Sequence, residues 1–137
     1  MGTRSLTFVY TDHYDGETPE AIVNMYRQFD GYREGHGLEL AKFLNSFDAV
    51  VNGIPVGDSR KLANGMGCIA AQMIAHFKVG VGGFYLYPTT SIDCGQEYEY
   101  HVYSDRITVY GWRKEHLFTG SWLDFENWCM SVEEEEA

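Results

Sequence analysis

A chain of 137 residues with only three cysteines is long enough to bury a hydrophobic core without disulfides or a structural metal. Its formal charge of -10, with no cluster of Lys and Arg, disfavours nucleic acid as a direct partner, because phosphate binding relies on grouped basic side chains. Cys68, Cys94 and Cys129 are odd in number and contain no C-x-x-C pair, so neither a disulfide framework nor a zinc knuckle is indicated and a reducing compartment is expected.

No apolar run approaches 18 residues, and Met1 to Ser5 leads directly into a strand pattern where a signal peptide would stand. A cytoplasmic protein without a membrane partner is therefore expected. Residues 133–136 are four consecutive glutamates, a run that repels itself and has nothing apolar to bury. The expected organisation is one domain over 1–132 with a disordered acidic tail at 133–137, dispensable for folding. Without those glutamates the body carries 16 acidic against 10 basic residues, a sign that suits a basic protein partner.

In chain order, SLTFVYT at 5–11 alternates Leu6, Phe8 and Tyr10 against Thr7, Val9 and Thr11, the period of a pleated strand. It should pair as a hairpin with a second strand at 21–28, in which Val23, Met25 and Phe29 mark the core side and place Arg27 at the core edge. An arginine there needs a partner. Between them, Asp12, His13 and Asp15 lack the spaced carboxylates and closing glutamate of a calcium loop and are expected to form a solvated turn.

Leu40, Phe43, Leu44 and Phe47 fall at i, i+3, i+4 and i+7, which predicts a helix with one apolar stripe. Asn52-Gly53 between Val50-Val51 and Ile54 predicts a short hairpin, and Pro55 with Gly57 a loop after it. Leu62, Met66, Ile69, Met73 and Phe77 predict a central helix over 62–77, whose Gly65 and Gly67 weaken its first turn by about 1 kcal/mol each and so call for a reason. FYLY at 84–87 is expected to be a buried strand stopped by Pro88. Strands at 98–103, 107–112 and 115–119 make an antiparallel meander, and S-x-x-D at Ser121 to Asp124 starts a last helix with Trp122, Phe125 and Cys129 on one face. The fold class is α+β: a single domain with a mostly antiparallel sheet, packed by two central helices and one C-terminal helix.

The densest chemistry is the strand-to-helix junction. Tyr26, Arg27, Asp30, Tyr32, Arg33 and His36 lie within eleven residues, interleaved with Gly31, Gly35 and Gly37. Arg27, Arg33 and His36, with the N–H groups of Gly35 and Gly37 near a helix start, could cradle a phosphate or carboxylate. Alternatively Asp30 pairs with Arg27 or Arg33 and His36 caps the turn, making the junction a rigid brace. Arg33 and His36 lie on no apolar stripe, so their replacement should leave stability nearly unchanged.

Cys68 near a helix start could be an activated thiol, but His76 lies eight residues on, more than two turns away; a packing role is favoured. His101 and His116 have no second ligand at metal spacing and read as sheet-surface histidines. No metal or cofactor is expected. If the junction is scaffolding, the hairpin at 98–112 is the next place for a site.

The segments MGTRSLT at 1–7, MYRQFDGYREGHGLELAKFL at 25–44, LANGMGCIAAQMIAHFK at 62–78 and GGFYLYP at 82–88 resemble a family of small uncharacterised proteins found in phages and phage-related bacterial genes. The resemblance covers most of the chain. It implies a genomic setting, and so a host cytoplasm, but carries over no catalytic residue. Arg33 stands where the family has a proline, which makes this loop less rigid. The expected function is binding, by blocking or sequestering a host defence component through the junction at 27–37. The alternative is a small enzyme or a nucleotide- or anion-binding protein using His36 and its neighbouring arginines, or Cys68.

Overall fold

The computed structural model describes residues 2–13, 16–53 and 57–131. The acidic tail expected at 133–137 lies outside them, as do Ile54, Pro55 and Asp15. The first strand, β1 (Ser5–Tyr10), and the second, β2 (Ala21–Arg27), pair as the expected antiparallel hairpin, with Ser5 opposite Arg27 and Thr7 opposite Met25. A π-helical turn at Arg33–Gly37 runs directly into α1 (Leu38–Leu44). Then follow β3 (Ala49–Val51), β4 (Leu62–Asn64), α2 (Gly65–Phe77), β5 (Phe84–Leu86), β6 (Tyr98–Val102), β7 (Ile107–Tyr110), β8 (His116–Gly120) and α3 (Trp122–Met130). The main sheet has the order β5-β2-β1-β6-β7-β8. All its neighbours are antiparallel except β1 and β6.

The three helices share one face of this sheet. Leu40, Phe43 and Leu44 of α1 meet Met66, Ile69, Met73 and Phe77 of α2 and Phe125 and Cys129 of α3 over Val9, Met25, Tyr100, Val102 and Val109. Both apolar stripes are thus buried together, as amphipathic helices require. The capping signal also operates: Ser121 Oγ accepts from Asp124 N–H at 3.1 Å, satisfying one of the free donors of α3.

The opposite face is covered on one side by the connector between β5 and β6. Asn24 Nδ2 donates to Pro88 O and Ser91 O, and Glu97 N–H to Arg4 O, holding this segment over Leu6, Phe8 and Tyr26 with Cys94 packed among them. Because β2 and β1 separate β5 from β6, the connector must cross both strands, and its crossing roofs their outer side chains.

Several expectations are corrected. Among the described residues, β3 pairs in parallel with β4, Ala49 opposite Leu62, and Gly53 N–H donates to Asn64 Oδ1 at 2.8 Å; the second arm of the hairpin expected around Asn52-Gly53, from Ile54 on, begins outside the described residues. Residues 62–64 are consequently strand rather than the first turn of the central helix. That helix starts at Gly65 because Asp12, expected in a solvated turn, reaches across to cap it, Oδ2 accepting from Met66 N–H at 2.9 Å. Gly65 has φ +76° and a Cβ there would lie 2.8 Å from that carboxylate oxygen, which is why this position excludes a side chain; nothing in the structure explains Gly67.

Strand β5 is an exposed edge, not buried, since it pairs with β2 alone. Phe29 is exposed rather than in the core, because β2 ends at Arg27. Trp112 likewise leaves the sheet after Tyr110, entering a tight turn at Trp112–Lys114.

Candidate functional site

At the junction the structure brings Arg27 and His36 together but turns both inward. Arg27, on the last residue of β2, projects from the helix-covered face and is 6% exposed. Its guanidinium lies between the rings of Phe84 and Phe29, 4.9 and 5.7 Å from their centroids. Its charge partner is Glu39 in the first turn of α1, not Asp30, because the π-helical turn carries α1 back against β2. Nη1 also reaches His36 Nδ1 at 3.2 Å.

His36 is wholly buried, packed against Phe77 and Tyr100 with ring centroids 5.3 and 5.2 Å away. A guanidinium only donates, so Nδ1 accepts from Arg27 and Nε2 carries the proton, donating to Thr7 Oγ1 at 2.7 Å. Burial first, and the Arg27 charge second, push its pKa down to about 3. A neutral imidazole of one tautomer is therefore built into the core. The idea that His36 can be replaced without loss of stability is corrected accordingly.

The expected anion cradle is also absent from this geometry. Gly35 N–H and Gly37 N–H both donate to Tyr32 O, at 3.0 and 3.2 Å, and Gly31 N–H to Thr3 O at 2.8 Å. Gly31 is needed for packing, since a Cβ there would lie 2.8 Å from Ser5 Cβ. Tyr26 is buried on the opposite face, stacked on Tyr87 at 5.0 Å. Arg33 lies over the Trp128 ring, 4.5 Å from its centroid. What the junction presents to solvent is its rim: Gln28, Phe29, Asp30, Glu34 and Glu39, with Tyr32 Oη donating to Asp30 Oδ1 at 3.3 Å.

This rim continues onto the free edge of the sheet. Phe29, Val79, Val81, Tyr85, Leu86 and Tyr87 are all exposed, Val79 at 89% and Leu86 at 58%. Alongside β5 runs an apolar groove of about 330 Å³ lined by Met25, Ile74, Lys78, Phe84, Tyr85 and Leu86. A neighbouring depression of about 360 Å³ has the Arg27–Glu39 pair, His76, Phe77 and Val79 on its walls. The pairing of Tyr26 with Tyr85, flanked by Gln28 N–H to Gly83 O and Tyr87 N–H to Asn24 O, directs the polar groups of Phe84 and Leu86 outward. Lys78 Nζ donates to Phe84 O at 2.7 Å and so covers one of them.

A second cluster was not singled out from the sequence. Glu99, on the sheet face away from the helices, is 3% exposed. It accepts from His101 Nε2 at 3.1 Å, from Gln96 Nε2 at 3.0 Å and from Lys114 Nζ. Burial alone would raise its pKa, but these three donors outweigh burial and hold it down to about 2. Because that carboxylate only accepts, His101 Nε2 bears the proton and Nδ1 accepts from Tyr10 Oη at 2.6 Å. The Phe8 ring stacks on the imidazole at 4.8 Å. Burial first, then the neighbouring Tyr103, pushes the Tyr10 hydroxyl pKa upward, so this is a neutral phenol and not a nucleophile. The i, i+2 spacing of Glu99 and His101 signals one shared face; Phe8 and Tyr10 reach them through the pairing of β1 with β6, Gln96 from the β5–β6 connector and Lys114 from the turn after β7.

Cys68 Sγ accepts from Gln72 Nε2 at 3.2 Å, one turn along α2, with its side chain packed against the core. Among the described residues no group of three or more His, Cys, Asp or Glu is placed to hold a metal ion, and no helix is long and apolar enough to cross a membrane. No protein family, no curated protein and no solved structure matches the chain.

Proposed function

We propose that this chain is a protein-binding module, acting by blocking or sequestering its partner, and that its contact surface is the rim of the 27–39 junction together with the β5 edge. The observation that carries the reading is the concentration of exposed Val79, Val81, Tyr85 and Leu86 beside the acidic rim of Asp30, Glu34 and Glu39. Apolar patches rimmed by polar groups mark interaction sites, protein interfaces among them, and charges at the rim steer and orient a partner of opposite sign. The partner chemistry this surface fits is an apolar ridge flanked by Lys or Arg. In the setting implied by the phage-type sequence resemblance, that partner is a host component. Arg27 and His36 then act as positioning residues: they hold α1 against β2, fixing where Glu39 and Phe29 stand.

A second reading, a small anionic ligand, is favoured by the depression beside Arg27. Such a ligand would have to take the guanidinium from Glu39, whose side chain is 53% exposed. The two readings separate in one experiment. The chain and its Tyr85→Asp/Leu86→Asp variant are used as bait in lysate of the host, with small molecules retained by each bait identified by mass spectrometry. Loss of a protein band in the variant supports the interface; an unchanged protein pattern with a co-purifying anion supports the second reading and overturns the first.

A further inference from the structure

The face of the sheet away from the helices carries a depression of about 370 Å³ over Glu99, between the β5–β6 connector and the turn that follows β7. Ile92, Asp93 and Gln96 form one wall, Trp112, Arg113 and Lys114 the other. It lies across the sheet from the helix-covered junction and has a different chemistry from the apolar groove beside β5.

Its floor is prearranged. The Glu99 carboxylate is fixed by Gln96, Lys114 and His101, and His101 is itself fixed by Tyr10 and the stacked Phe8 ring. Polar groups locked through a supporting layer lose little freedom when they bind a ligand. The wall is strained: Arg113 and Lys114 are consecutive non-glycine residues at φ 59° and 65°, in the left-handed region that side chains disfavour. That conformation returns the Lys114 ammonium onto Glu99 and leaves Trp112 58% exposed at the mouth. Strain of this kind concentrates at ligand clamps.

The charges select the ligand class. Asp93 and Glu99 face Arg113 and Lys114, so the depression has no net charge to match an anion or a cation. It offers both acceptors and donors at its base and a flat apolar ring at its edge. A sugar meets all three conditions: it is neutral, its hydroxyls both donate and accept, and the polarised C–H face of a pyranose packs on the negative face of an indole. We propose that this depression is a saccharide site for one or two rings, one ring lying on Trp112, its hydroxyls donating to Asp93 and accepting from Lys114, with Gln96 held by Cys94 N–H, Ile92 O and Glu99 as part of the floor. The volume lies in the range of small-ligand clefts, about 300–1,000 Å³. The site is independent of the protein-binding edge.

The test is an NMR titration of the full chain labelled with ¹⁵N, following the Trp112 indole N–H and the Gly111 and Lys114 amides. The probes are maltose, cellobiose, lactose and chitobiose, each to about 10 mM, a range that detects the roughly millimolar affinity expected of an open site. At least one disaccharide should move these three resonances. Trp112→Ala should weaken that binding tenfold or more, Trp112→Tyr should largely retain it, and neither should change the melting temperature, since the side chain is exposed. Silence from every disaccharide, or equal binding by Trp112→Ala, would each overturn the assignment.

Discussion

Acidification offers a direct probe of His36. In the native state its pKa stands at about 3, whereas in the unfolded chain it takes the ordinary histidine value of about 6.5. Below that ordinary value the unfolded chain binds a proton that the native state refuses, so stability falls as pH falls from about 6.5 towards about 3. The whole window corresponds to a loss of the order of 5 kcal/mol, at about 1.4 kcal/mol per unit. Between about pH 7 and about pH 5 the unfolded side chain becomes almost fully protonated, and the loss is about 2 kcal/mol. Glu99, which also loses stability on acidification, does so only from its ordinary value of about 4.5 down to about 2, so it contributes little at pH 5. Urea unfolding of the wild type and His36→Gln at the two pH values isolates the effect, because glutamine keeps a donor and an acceptor but cannot titrate. The wild type should lose about 2 kcal/mol more than the variant over this interval. Equal losses, or an imidazole resonance of His36 that titrates above about pH 5, would refute the buried neutral assignment.

Other outcomes follow from the same geometry. Ile69→Ala and Phe77→Ala each empty part of the interface between α2 and the sheet and should cost about 2–5 kcal/mol in thermal or urea unfolding. Ser121→Ala removes the cap of α3 and should cost about 0.5–2 kcal/mol in the same assay. Burial pushes the Cys129 thiol up to about 12, so iodoacetamide at neutral pH should leave it unmodified in the native protein and label it once urea unfolds the chain.

What the sequence made legible is what burial on one face imposes on a local pattern. The alternation of Leu6, Phe8 and Tyr10 and the 4-3-4-4 spacing of Leu62 to Phe77 each report a covered side, and β1 and α2 are where that spacing places them, apart from the three residues of β4. Ladders of three residues carry no such period, so β3 reads as one arm of a hairpin and β4 as the first turn of a helix, and the aromatic residues of β5 are the same ones an interior strand would use. At the junction, residue types alone could not decide direction. Arg27 and His36 are donors suited to a ligand, yet Thr7 from β1 and Glu39 from α1 reach them first, and only the three-dimensional pairing shows it. Glu99 and His101 share a face by their spacing, but Tyr10 joins them through parallel pairing and Lys114 through a left-handed turn, neither of which has a local signature.

The central claim is that the β5 edge and the acidic rim beside it form the contact surface, with Arg27 and His36 holding that surface in place from within. The most direct measurement compares, by quantitative mass spectrometry, the lysate proteins retained by three immobilised baits: the wild type, Tyr85→Asp/Leu86→Asp and Trp112→Ala, each shown by its melting temperature to be folded. A partner retained by the wild type and by Trp112→Ala but lost from the edge variant is the predicted result. Retention of that partner by the edge variant at the wild-type level would contradict the account.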